Sequence, residues 1–307
     1  MSKDDPDKII RYPSNRAIVL RNLNCVYCGR RFGDGLNATK EHVIGRRFVP
    51  RGCFDGQWNL IANACGGCNG DKSDLEDDIS AISMLPDLGG RYAIDDHRLV
   101  AEAARKAANA RSRRTKKVVA DSQEEISFQQ QFGGGTFTFN FTAPPQVTDQ
   151  RIFKLAHYHF RGFFFLITYQ EETRLGGFVP GQFIPLVAVR RNDWGNPQMR
   201  WFMDLVRDWD LRLHAIGADG FFKFFIRRHP EGHEVWAWAA EWNHCMRVVG
   251  FVGDETIIRE LVRSRPEILF DTVHQDAKRT LRMRIDQALS EEEDDLFSGS
   301  YEDEEAG

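Results

Sequence analysis

Four of the six cysteines fall into two pairs, Cys25-x2-Cys28 and Cys65-x2-Cys68, with 36 residues between the pairs. No other feature narrows the folding options as much. A two-residue spacer lets both thiolates of a pair turn toward one point, and two such knuckles complete a closed tetrahedral shell for zinc. A closed shell leaves no position for substrate, so this metal is expected to be structural. Redox chemistry needs one such pair, not two, and disulfide frameworks belong to oxidising compartments. Cys53 and Cys245 stand alone and read as small buried residues. The gap exceeds that of a simple zinc ribbon, so a further substructure must sit inside it.

The compartment follows from the same chain. The first ten residues, MSKDDPDKII, carry acids where a signal peptide carries bases and then an apolar run. The longest apolar stretch, Phe163–Ile167, is far too short to span a bilayer. The expectation is a cytoplasmic protein with no membrane partner. With 307 residues, 42% hydrophobic and 28% charged, the chain can bury a proper core, and the length favours two domains.

Three segments lie between and just after the knuckles: TKEHVIGRRF (39–48), WNLIAN (58–63) and ACGGCNGDKSD (64–74). β-branched residues flank Glu41-His42 and suggest a strand. The apolar run after a Gly-rich loop suggests the returning strand. Leu75, Ile79 and Ile82 recur at helical spacing over Lys72–Met84. Strand, strand, helix is the local reading, held at both ends by the knuckles.

With C-V-Y-C, E-H-V-I, W-N-L and C-G-G-C-N-G-D-K-S-D in this order, residues 20–85 resemble an HNH endonuclease of the ββα-metal class in its four-cysteine, zinc-stabilised form. Two departures stand out: Glu41 replaces the commoner Asp, and Asn69 stands where the family name has its last His. The resemblance implies a hydrolase that nicks or cuts DNA, with RNA as the alternative substrate. It implies that His42 is the general base, since a neutral imidazole has a pKa near working pH. Glu41 and Asn69 are expected to hold a divalent metal, Mg2+ or Mn2+, which needs only one or two protein oxygens. Asn59 is expected to fix the backbone near His42. Arg46, Arg47 and Lys72 are candidate phosphate contacts, guanidinium groups being well matched to phosphate oxygens. By analogy with free-standing enzymes of this kind, anti-phage defence or restriction is the expected setting. The alternative from another class is a zinc-framed nucleic-acid-binding module without catalysis. The acids Asp74, Glu76, Asp77 and Asp78 read as a solvated helix face.

The net charge of −4 speaks against a nucleic-acid partner only until it is divided. Residues 1–120 hold 21 Lys/Arg against 15 Asp/Glu, and residues 121–307 hold 20 against 30. The last 17 residues supply nine acids and no base. A terminal block of like charge reads as a disordered tail. Residues 95–117 read as a basic helix capped by Asp95 or Asp96, suited to phosphate-backbone contact or to a solvated linker.

The expected organisation is therefore α+β: a nuclease domain over 1–90 (core 20–85), a basic helical linker over 91–122, an accessory recognition or regulatory domain over 123–290 and a disordered tail over 291–307. In the accessory part, helices are expected over 149–169 and 197–208. Strands are expected over 132–142, 182–190, 211–216, 221–228, 233–242 and 245–252, and six of the seven tryptophans (194–242) read as core. On a helix, His157 and His159 diverge, which argues against a second metal pair. Protein partners or a homodimer would be served by this part.

Overall fold

The stretch between the cysteine pairs folds as two strands and a helix. In the computed structural model, which describes residues 10–12, 15–33, 35–87, 89–132, 135–143, 145–178, 181–232, 234–275 and 280–298, two short strands come first, β1 (Ile10–Tyr12) and β2 (Ile18–Val19). β3 (Ala38–His42) then pairs antiparallel with β4 (Leu60–Cys65), His42 lying opposite Ile61 and Ala38 opposite Cys65. β2 adds to the other edge of β4 in parallel. Helix α1 (Gly66–Ser83) starts directly after β4, so the second knuckle is also the strand-to-helix turn. Leu75, Ile79 and Ile82 are buried along it, as their spacing requires.

Helix α2 (His97–Asn109) is capped by the Asp96 side chain, which accepts from the Arg98 N–H. It ends eight residues before the expected Lys117, because the chain turns back at Ala110, whose successor Arg111 bridges to Val118. A hairpin of β5 (Glu124–Phe132) and β6 (Gly135–Ala143) follows, the expected strand at 132–142 being its second arm. Helix α3 (Asp149–Thr168) comes next.

The remainder is one sheet with covered faces. β7 (Gln182–Arg190), α4 (Pro197–Val206), β8 (Asp210–Gly217), β9 (Phe222–Arg228), β10 (Val235–Trp242), β11 (Met246–Gly253) and α5 (Glu255–Leu261) appear close to their expected positions, α5 excepted. A last hairpin, β12 (Phe270–Gln275) with β13 (Thr280–Arg284), was not foreseen. The six-stranded order is β1-β8-β9-β10-β11-β7, antiparallel except for the β1–β8 pair. Side chains alternate between two cores. Phe224, Ile226, Trp238 and Trp242 face α3 and the cysteine-clasped unit, whereas Phe225, Ala237, Val249 and Phe251 face α4 and α5. Burial on both faces is why β9–β11 read as nearly continuous apolar runs. Of the six clustered tryptophans, Trp194, Trp209, Trp238 and Trp242 are buried core, as expected.

Two expectations need correction. The boundary near residue 90 does not separate two cores: one cluster runs from Val26, Phe48 and Trp58 through Phe163 to Phe222 and Trp242. Trp58 Nε1 donates to the Ile216 carbonyl at 2.6 Å, and Asn243 Nδ2 donates to the Phe48 carbonyl at 3.1 Å. α3 forms the bridge, and it approaches so closely that a Cβ at Gly162 would lie 2.6 Å from Val43 Cγ1. The tail is not disordered over its first part. Residues 291–298 pack on the α4 side of the sheet, with Leu296 only 4% exposed, because two apolar side chains, Leu296 and Phe297, interrupt the acids and find the core. Residues 299–307 lie outside the described ones. Among the described residues no helix is long and apolar enough to cross a membrane.

Candidate metal centre and active site

The four sulfurs of Cys25, Cys28, Cys65 and Cys68 lie within 4.8 Å of one another. Those of Cys28 and Cys65 are 3.9 Å apart, close to the ~3.8 Å edge of a tetrahedron built on ~2.3 Å zinc–sulfur bonds. The first knuckle is shaped by backbone: the Gly29 N–H donates to the Cys25 carbonyl at 2.9 Å, and Gly29 has φ +75, open to glycine at little cost. The N–H groups of Tyr27 and Cys65 point at the Cys25 sulfur, at 3.4 and 3.3 Å, and Arg30 donates to the Cys65 sulfur. Burial works against ionising Cys28, but hydrogen bonds from Arg30 and from neighbouring cysteines hold its thiol down at about 6. The donor set fits a thiophilic ion such as zinc, and a four-thiolate shell is structural rather than catalytic.

His42 ends β3 and is half-buried, its Nε2 enclosed and, among the described residues, without a hydrogen-bond partner. Burial, and then the positive charges of Arg46, Lys40 and Lys72, lower its pKa, so the imidazole is neutral near pH 7 and able to accept a proton. The loop after it is held by side chains from three directions. Asn59 Nδ2 donates to the Ile44 carbonyl at 2.8 Å, the Gly45 N–H donates to Glu76 Oε1 at 3.1 Å, and Lys106 Nζ donates to the Arg47 carbonyl. Asn59 is thus tied to the backbone two residues after His42. Asn63, on β4, exchanges hydrogen bonds with Asn22 beside the first knuckle. Arg46 and Arg47 are exposed on this loop, and among the described residues no carboxylate pairs with them.

Lys72 departs from its expected role. Its side chain is 1% exposed, and Nζ sits 2.9 Å from Glu41 Oε1, 2.6 Å from Glu76 Oε1 and 3.2 Å from the His42 carbonyl. It cannot reach a phosphate. One helical turn after Asn69, it points along the same face into the gap between α1 and β3, where α3 closes over it. Glu41 is likewise 5% exposed, and its Oε1 also accepts from the Tyr27 hydroxyl at 2.9 Å. Burial raises the Glu41 pKa although Lys72 opposes it. Burial alone would raise Glu76 too, but Lys72 and then His159 outweigh it and hold that carboxyl below its ordinary value. Asn69 is half-buried and turns Nδ2 to the Thr39 hydroxyl at 3.0 Å.

Glu41 and Asn69 do not fit a divalent metal in this arrangement. A dication at Glu41 would sit beside a buried ammonium that already neutralises that carboxylate. Of the α1 acids read as a solvated face, Asp74 and Asp77 stay about half exposed, whereas Glu76 and Asp78 turn inward. Asp78 is 2% exposed and pairs with Arg151 at 2.7 Å, while Asp74 and Asp77 engage Arg113. At least five of the eight bases over 95–117 are engaged internally as well: Arg98 with Asp96 and Asp219, Arg105 with Glu102, Lys106 with the Arg47 carbonyl, Arg113 with Asp74 and Arg114 with Glu124. Sequence reasoning missed Tyr27 and Glu76 as members of the site. The i, i+4 spacing of Lys72 and Glu76 was the available signal for the second. His157 and His159 diverge as expected, His157 stacking on Phe183 and the fully buried His159 meeting Glu76 at 3.8 Å.

The chain is thus a mixed α+β protein with antiparallel sheets, whose ββα unit carries a four-cysteine cluster able to hold a metal ion. No protein-family model matches it, and neither a curated protein nor a solved structure shows a match to it.

Proposed function

We propose that the protein is a nuclease of the HNH type, hydrolysing phosphodiester bonds of DNA. The observation that carries this reading is the state of His42: a neutral base at a strand end, with its following loop held by Asn59 through the Ile44 carbonyl. On this reading His42 takes a proton from the attacking water at an imidazole nitrogen. Arg46 and Arg47, exposed four and five residues on, bind non-bridging phosphate oxygens and offset the charge that builds in the transition state. Lys72 and Glu76 act on this loop from within, through the His42 carbonyl and the Gly45 N–H. No step is assigned to a metal at Glu41.

A second reading, a zinc-framed module that binds nucleic acid without cutting it, is favoured by the internal pairing of Glu41 with Lys72. Supercoiled plasmid incubated with wild type and with His42→Ala, in buffers containing Mg2+, Mn2+ or neither, separates the two. Nicking by wild type that His42→Ala reduces to background is the expected result. Identical background-level nicking by both proteins under every condition would refute the enzyme reading, and retained DNA binding would then support the module.

A further inference from the structure

The acidic C-terminal segment meets an arginine surface. Arg191 follows β7, Arg200 lies on α4, Arg207 caps the C-terminal end of α4, and Arg247 lies on β11. Each is paired with an acid of residues 291–295: Arg191 with Glu291 at 3.4 Å, Arg200 with Glu293 at 3.2 Å, Arg207 with Asp295 at 3.1 Å and Arg247 with Asp294. The four differ in depth. Arg247 is 1% exposed, stacked 3.5 Å over the Trp194 ring and held also by the buried Glu241, so it belongs to the fold. The other three stay 31%, 44% and 55% exposed even with the segment seated. Leu296 and Phe297 anchor the segment, and the acids between Ser290 and Leu296 lie over the arginines without being buried themselves.

We propose that Arg191, Arg200 and Arg207 form a binding face for a nucleic-acid backbone, and that the acids at 291–295 occupy it as an internal competitor. The inference rests on the reading of the protein as acting on nucleic acid. Guanidinium groups take phosphate in the same paired geometry as carboxylate, so a run of five acids stands in for successive phosphates. Arg200 on α4 and Arg207 at its C-cap are seven residues apart, about 10 Å along the helix axis, which matches the rise of about three nucleotides of one strand in a duplex. Exposed ion pairs of this kind hold weakly. A phosphate backbone has a further advantage over carboxylates, because its binding releases condensed counterions. The acidic run continues in sequence with Glu302, Asp303, Glu304 and Glu305.

The test measures binding of a fluorescent 20-base-pair duplex by anisotropy between low and moderate salt, with the full chain in a His42→Ala background so that the probe stays intact. Neutralising the competitor with Glu291→Gln, Glu293→Gln and Asp295→Asn should tighten binding on the order of tenfold near 0.1 M salt and steepen the salt dependence by up to about 2.7, three contacts at ~0.9 each. Adding Arg191→Gln, Arg200→Gln and Arg207→Gln should abolish the gain. A control triple on exposed acids away from α4, Asp55→Asn, Glu171→Gln and Glu172→Gln, measures the effect of bulk charge alone. The proposal is overturned if the control tightens binding equally, if the gain survives loss of the arginines, or if neither triple changes affinity. Plasmid nicking is read separately, so a nuclease that fails this test remains distinguishable from a protein that is no nuclease. Circular dichroism of each variant confirms that the arginine changes leave the fold intact.

Discussion

Replacing Lys72 with Met should destabilise the protein by about 4 kcal/mol at pH 7, and the cost should shrink as the pH falls. The substitution keeps the apolar stem and removes the ammonium that joins Glu41 and Glu76, whose side chains are 6% and 14% exposed. Breaking a buried ion pair by deleting one partner typically costs ~3–5 kcal/mol. An independent limit comes from protonation. One of the two carboxylates escapes the repulsion by taking a proton, which at pH 7 costs about 3.5 kcal/mol, or ~1.4 kcal/mol per pH unit over the ~2.5 units above its ordinary pKa. Loss of the hydrogen bond to the His42 carbonyl adds about 1 kcal/mol. The sign of the pH effect follows from the same proton. In the variant the folded state binds it more tightly than the unfolded state, so the variant gains relative stability as the pH drops toward the ordinary carboxyl pKa. In the wild type Glu76 is held below its ordinary value, so its contribution is present above the unfolded pKa and is lost on acidification. The variant's proton uptake alone narrows the gap to about 1–2 kcal/mol at pH 5, because the Glu76 contribution is lost only below the ordinary carboxyl pKa. Urea unfolding followed by tryptophan fluorescence at pH 7 and pH 5 measures it. The double variant Lys72→Met/Glu76→Gln removes the second carboxylate and should recover more than about 2 kcal/mol of the loss, since the amide oxygen can still accept from the Gly45 N–H. A single-variant cost below about 1 kcal/mol at pH 7, or one that does not change with pH, would refute the buried-network reasoning.

Two further outcomes test other parts of the molecule. The purified protein should contain close to one zinc per chain. Because the clasped unit shares its core with the sheet, chelation or Cys65→Ser should lower the melting temperature of the whole chain; absence of zinc, or equal stability of the metal-free protein, would count against the site. His159 is fully buried, and burial pushes its pKa down to about 4, so the unfolded chain takes up a proton that the folded chain refuses between about pH 6.5 and 4, and stability falls with pH there. His159→Leu should flatten that dependence by up to about 1.4 kcal/mol per pH unit near pH 5.5, and an unchanged slope in a series of urea titrations would exclude His159 as its source.

The parts legible in the sequence were those whose determinants are local. Knuckle spacing, the β-branched residues flanking Glu41-His42 and the helical recurrence of Leu75, Ile79 and Ile82 are each local signals, and the elements they point to appear in place. β8–β11 were readable because both faces of the sheet are covered, which fills most positions of β10 and β11 and the inward positions of β8 and β9 with apolar residues. The direction of Lys72 was not readable. The segment DKSDLEDD has the composition of a solvated helix face, and Lys72 is interior only because α3, about 80 residues later in the chain, lays Tyr158, His159 and Gly162 over the ββα unit. The same cause hid the role of Glu41, whose partners Tyr27 and Lys72 come from separate elements. It hid the shared core too, since β1 finds β8 some 200 residues away through backbone hydrogen bonds that leave no side-chain pattern. The consequence for function is specific. An acid–His pair recognised in sequence carries its chemistry only where the acid faces the groove that receives substrate, and here a helix from the other half of the chain turns that acid inward. On the proposed reading His42 works as a base without Glu41 as a metal ligand, so activity that persists in Glu41→Gln but not in His42→Ala would identify the imidazole and its Asn59-held loop as the working part of the site.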